Sequence, residues 1–131
     1  MRRRGYEIAV GLALWGIVAG RDALAAGHLT TEAATKVAVG EAVRRGYPSE
    51  TARVLKASSA GLKWGEIVRE HPSYGRATCD EACKRVERAC ARRRCWVVSV
   101  VRQTSPPMFG GQMDVFIDDR SGKVAAVAEL R

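Results

Sequence analysis

A chain of 131 residues with 47% apolar and 27% charged side chains is sized for one domain and is too apolar to stay disordered. Its 22 lysines and arginines outnumber 14 acidic residues, for a formal net charge of +8, which favours a negatively charged partner: nucleic acid, anionic lipid or an acidic protein surface. The chain has no glycine-rich phosphate loop and no metalloprotease or kinase motif.

Met1-Arg2-Arg3-Arg4 is followed by an apolar run from Ile8 to Ala19 and then by Ala23-Leu24-Ala25. A basic start, a short hydrophobic centre and a small-x-small site form the layout of a secretory signal peptide. The run is shorter than the roughly 18 residues a spanning helix needs, which favours a cleaved signal over an uncleaved anchor. No cysteine follows it, which argues against a lipid-modified anchor. Residues 1–26 are therefore expected to be a signal peptide, and 27–131 a single domain, periplasmic or secreted. Cleavage would remove four arginines, one glutamate and one aspartate and leave the rest basic.

From Leu29 to Arg45 the pattern is helical. Thr30 or Thr31 caps the first turn, Glu32 suits the positive end of the helix dipole, and Gly46 with Pro48 is a stop signal. Ala34, Ala38, Val39, Ala42 and Val43 are expected on one face, with Glu41, Arg44 and Arg45 off it. Such small residues let a helix lie close on a sheet. Thr51 to Ser59 reads two ways: as a strand it adds Arg53 to Lys56 to a sheet edge, and as a helix Ser49 caps it and Gly61 ends it. Leu62 to Glu70 reads as a short helix with Leu62, Ile67 and Val68 inward, broken at His71-Pro72. Ser73-Tyr74-Gly75 then reads as a loop.

Thr78-Cys79-Asp80-Glu81 has capping-box spacing and predicts a helix running toward Arg92. The four cysteines, Cys79, Cys83, Cys90 and Cys95, are even in number behind an export signal, which argues for two disulfides. Zinc is the rival reading, but C-x3-C-x6-C-x4-C lacks two close ligand pairs set apart by a longer connection. A thioredoxin-like role needs C-x-x-C, which is absent. In a continuous helix Cys83 and Cys90 stand about 10 Å apart along the axis, too far to bridge. Two local pairs, or a broken helix with nested pairing, both remain open. Lys84, Arg88 and Arg92 repeat every fourth residue and, with Arg85, could bind anions such as phosphates or lipid headgroups. The same charges also suit a solvated face near a helix C-terminus. No aromatic residues interleave with them to stack bases, which disfavours nucleic acid.

Cys95 to Arg131 reads as a β-meander. Trp96 to Val101 is rich in β-branched and aromatic residues, and Met113, Val115 and Ile117 alternate with Asp114, Phe116 and Asp118. Pro106, Pro107, Gly110 and Gly111 place the first connection, and Asp119-Arg120-Ser121-Gly122 the second.

Little catalytic chemistry is visible. His28 and His71 have no Ser, Cys or carboxylate neighbour at a triad-like spacing and read as surface residues. Asp118 and Asp119 are explained by hydrogen bonds within a tight turn, and Trp64 and Trp96 by core burial. The expected reading is non-enzymatic, with no cofactor or metal.

A helix ending in Glu41-Ala42-Val43-Arg44-Arg45-Gly46-Tyr47, a strand, Trp96 to Val100, a Pro/Gly-rich hairpin and Val115 to Val124 together resemble small cystatin-like α+β domains, in particular PepSY domains and NTF2-fold immunity proteins. The resemblance covers about half of the chain after residue 26, favours the strand over 51–59, and leaves 60–94 as a helical, cysteine-bearing insertion. It implies an α+β fold with an N-terminal helix on a three- to four-stranded antiparallel meander. It also implies a binding or inhibitory role toward a protein partner, a peptidase or a toxin. The sheet face or the hairpin tip with Pro106, Pro107, Met108 and Phe109, together with the cysteine-bearing insertion, are the candidate contacts for such a partner. A basic anionic-surface binder working through Lys84, Arg85, Arg88 and Arg92 is the alternative.

Overall fold

The computed structural model describes residues 29–76, 79–103 and 111–130. Helix α1 spans Thr31–Arg44. Thr30 accepts a hydrogen bond from the Ala33 N–H at 3.0 Å through its hydroxyl oxygen, which satisfies one of the amides a helix start leaves open. Ala34, Ala38 and Ala42 recur every fourth residue and are fully buried. With one methyl each, they bring the helix backbone down onto the sheet. Val43 was expected on this face but is exposed, because it lies about 100° round the helix from Ala42. Gly46 at φ 111° ends the helix, and the Tyr47 N–H closes back on the Ala42 carbonyl at 3.0 Å.

The chain then enters β1 (Ala52–Ala57), which pairs antiparallel with β2 (Cys95–Arg102), so Thr51 to Ser59 takes the strand alternative. A bulge at Leu55 interrupts β1. Strands β3 (Gln112–Asp118) and β4 (Val124–Leu130) complete a four-stranded antiparallel sheet of order β1-β2-β3-β4. Gly122, at φ 72°, supplies the conformation the β3–β4 turn requires.

Between β1 and β2 lie helix α2 (Trp64–Glu70), a 3-10 turn at Pro72–Gly75 and helix α3 (Glu81–Cys90). This insertion covers the sheet face opposite α1. On the α1 side Trp96, Val98, Val100, Met113, Val115, Ile117 and Val127 pack against the alanines. On the other, Cys95, Val97, Phe116, Ala126 and Ala128 pack against Ile67, Tyr74, Val86 and Cys90. Period-two alternation therefore sends β2 and β3 side chains into two cores, which is why both strands are buried along nearly their whole length.

Several expectations over 60–94 need correction. Ser73-Tyr74-Gly75 is not a plain loop: Tyr74 is buried within the 3-10 turn. Helix α3 is capped by Asp80, whose side chain accepts from the Cys83 N–H at 2.9 Å, and Thr78 lies outside the described residues. The helix ends at Cys90, so Arg92 is not on a continuous stripe with Lys84 and Arg88. Trp96 is core, but Trp64 is only half-buried. Among the described residues, no helix is long and apolar enough to cross a membrane.

Candidate functional site

The β2–β3 register sets Asp114 opposite Ser99, on the face covered by the insertion. Asp114 is 2% exposed and accepts hydrogen bonds from the Tyr74 hydroxyl at 2.6 Å, the Ser99 hydroxyl at 2.7 Å and the Gln112 side-chain amide at 3.2 Å. Burial, with the adjacent carboxylate, pushes the Tyr74 hydroxyl far above its ordinary range, so it remains a proton donor. The Tyr74 ring also meets Phe116 edge-on, centroids 5.3 Å apart. Three donors converging on one buried carboxylate anchor the insertion to the sheet. Among the described residues, the His71 ring meets the Tyr74 ring edge-on at 6.3 Å and its carbonyl accepts from the Tyr74 N–H at 3.1 Å, but no histidine side chain hydrogen-bonds into this network.

Asp118 and Asp119 separate in role. Asp118 serves the turn as expected, accepting from the Arg120 N–H at 3.3 Å and the Ser121 hydroxyl at 2.8 Å. Asp119 does not: it is buried and accepts from Trp96 Nε1 at 2.7 Å and the Leu29 N–H at 3.2 Å. It thereby links the turn to β2 and to the segment leading into α1. Its side chain is so close to Gly61 that a Cβ there would lie 2.8 Å away. The two carboxylates thus serve different partners.

The cysteines fall at the two ends of α3. Cys79 and Cys83 form a disulfide, Cα atoms 5.4 Å apart, across the helix start. Cys90 and Cys95, each expected in a disulfide of undecided pairing, are buried thiols here, one ending α3 and the other opening β2. A hydrogen bond to Cys90, reinforced by burial, raises the Cys95 thiol well above its usual range. Among the described residues, no group of three potential ligands could hold a metal ion.

Positive charge also gathers beside β4, in a groove that includes Arg85 of the anion-binding candidates. Strand β4 is a sheet edge, and α1 and α3 lie on opposite faces of the sheet beside it. Along the first half of β4 runs a groove of about 480 Å³ lined by Glu41 and Arg44 of α1, Arg45 just past its end, Arg85 of α3, and Val124 to Val127. Arg44 and Arg45 both pair with Glu41, and Arg45 Nε lies 2.6 Å from it. The hydrogen bond from Arg44, above all, holds the Glu41 carboxyl below its ordinary pKa. Arg85 has no ion pair among the described residues. Of the anion-binding candidates, Lys84 pairs loosely with Glu81 at 3.9 Å, Arg88 is exposed, and Arg92 is exposed beyond the helix end. The candidate partner tip, Pro106, Pro107, Met108 and Phe109, lies outside the described residues, as does His28.

Arg44 and Arg45 became groove residues because β4 is the last strand of a meander and so a sheet edge, a position that the sequence order already suggests. For Asp114 and Tyr74 the available signal was Phe116, which shares the Asp114 face and indicates that this second face is buried. No protein-family profile, curated protein or solved structure matches this chain.

Proposed function

We propose that this chain is an exported, non-enzymatic binding or inhibitory domain of PepSY-like type, which takes an acidic, extended segment of a protein partner along the β4 edge. The observation carrying this reading is the β4 groove. An outer strand leaves alternate N–H and C=O groups without a ladder partner, and an added strand satisfies them while pockets on either side select its side chains. Here those sides carry Arg44, Arg45 and Arg85 against Glu41 in the groove and Glu129 farther along β4, 3.9 Å from Arg45, so positive charge still predominates and the added strand should be acidic. A second copy of the chain would bring the same arginines, and the chain's own start brings Arg2, Arg3 and Arg4, so charge disfavours both occupants.

The opposite edge is protected. Strand β1 has the Leu55 bulge, with Arg53 and Lys56 exposed around it, the devices by which natural sheets discourage pairing. Export is supported by the signal-like first 26 residues and the Cys79–Cys83 disulfide.

The test is affinity recovery from envelope fractions and culture fluid, with the wild-type chain beside the triple variant Arg44→Glu, Arg45→Glu, Arg85→Glu. A specific protein retained by the wild type at low salt, weakened by salt and lost by the variant, is the expected outcome. Retention of anionic vesicles that depends on Lys84 and Arg88 instead would support the surface-binding alternative. Recovery of no protein, or of one the variant still holds, would overturn the proposal.

A further inference from the structure

Four cysteines stand within one core cluster, yet only one pair is bonded. Cys90 is the last residue of α3 and Cys95 the first of β2, and both are fully buried. The connection between them folds back tightly, with the Arg93 N–H directed at the Cys90 carbonyl at 3.4 Å. Cys95 is fixed on its other side by two backbone hydrogen bonds to Leu62, each 2.9 Å. Both thiols are buried in the same core cluster, joined by this short connection, which keeps them neighbours.

We infer that Cys90 and Cys95 are a second disulfide site, closed by oxidation as the chain folds, so that α3 is clipped at its start by Cys79–Cys83 and tied at its end to β2. The oxidant is a disulfide donor, either a protein disulfide or a low-molecular-weight one such as oxidised glutathione. One cysteine thiolate attacks a donor sulfur, forming a mixed disulfide and releasing one thiolate. The second cysteine thiolate then attacks the protein-side sulfur, forming the Cys90–Cys95 bond and releasing the other. Two electrons leave the cysteine pair, and its two protons end on the released thiols. Because both sulfurs are enclosed, a donor reaches them before the insertion closes over the sheet and only slowly afterwards. The nested connectivity fails: α3 is continuous from Glu81 to Cys90, which holds Cys83 and Cys90 about 10 Å apart. This inference does not depend on the β4 groove or on any partner.

The sequence provides a direct test, since trypsin cuts after Lys84, Arg88, Arg92, Arg93 and Arg94. The full chain is denatured, fully reduced and refolded with oxidised and reduced glutathione. A parallel sample is refolded under reductant and exposed to the same buffer only once native. Both are alkylated, digested at mildly acidic pH and weighed. In the first sample, peptide 89–92 should be linked to peptide 95–102, while peptide 77–84 carries an internal bridge. In the second, Cys90 and Cys95 should close at least tenfold more slowly. Alkylated Cys90 and Cys95 in the first sample, or either of them linked to peptide 77–84, would overturn the inference, as would equal rates in the two samples.

Discussion

The two faces of the sheet are closed by different means. On one side α1 packs through Ala34, Ala38 and Ala42 on a surface of valines, Met113, Ile117 and Trp96, a fit governed by small volumes and close approach. On the other, two short helices and a 3-10 turn hold on through Tyr74, Asp114 and Ser99, backed by the Cys79–Cys83 disulfide and the Cys90–Cys95 pair. A helix of 14 residues with one regular stripe docks chiefly by packing, with Asp119 tying only the segment that leads into it. Pieces of 7, 4 and 10 residues bury too little apolar surface each and need directional and covalent ties.

If that contrast holds, removing the buried carboxylate should be the most damaging single change. Asp114→Ala leaves three donors without their acceptor and is expected to cost about 3–5 kcal/mol, read from the urea midpoint. Near-UV circular dichroism should show the tyrosine signal lost first, as the insertion detaches. On the α1 face the vulnerability is to added volume: Ala38→Leu should cost about 2–3 kcal/mol by forcing the helix off the sheet. A cost under about 0.5 kcal/mol there would mean that α1 is loosely packed, and the contrast would be lost.

Tyr74→Phe sharpens the comparison through pH. It should cost about 2 kcal/mol near pH 7 by removing a hydrogen bond to a charged group. The Tyr74 pKa is raised on folding from an ordinary 10.0, so the wild type keeps this stabilisation in full below pH 10 and loses it as pH rises beyond, because the unfolded chain ionises first. The gap between wild type and variant should therefore narrow above pH 10 in urea titrations at successive pH values. A constant gap would show that the hydroxyl does not face the Asp114 carboxylate. The smallest change belongs to the guarded β1 edge: Leu55→Lys, at a position 61% exposed, should alter stability by less than about 0.5 kcal/mol.

The same division decides what the sequence could reveal. The meander, α1 and its Thr30 cap follow from local rules: alternation, a repeat every fourth alanine, and a glycine–proline stop. Strand β1 was ambiguous from its own residues, because Ala52 to Ala57 has neither clean alternation nor a helical stripe, and its pairing with β2 settles it. Over 60–94 the structure depends on contacts far apart in sequence. Tyr74 meets Asp114 forty residues on, and Leu62 bridges to Cys95, so a loop reading of Ser73-Tyr74-Gly75 was reasonable locally and wrong globally. Asp119 misled for the same reason, because a turn aspartate looks alike whether it bonds to its own turn or, as here, to Trp96. The basic stripe was half legible: Arg85 lies on the exposed face of α3, but its neighbours in the groove come from α1.

The proposal of an acidic strand at β4 is most directly tested by titrating the isotope-labelled chain with poly-glutamate at pH 7 and low salt, following backbone amides and arginine Nε–H signals. Shifts concentrated on Val124 to Val127 and on Arg44, Arg45 and Arg85, abolished by the triple Arg→Glu variant, are the predicted result. Shifts confined to Lys84 and Arg88, or none at all, would contradict it.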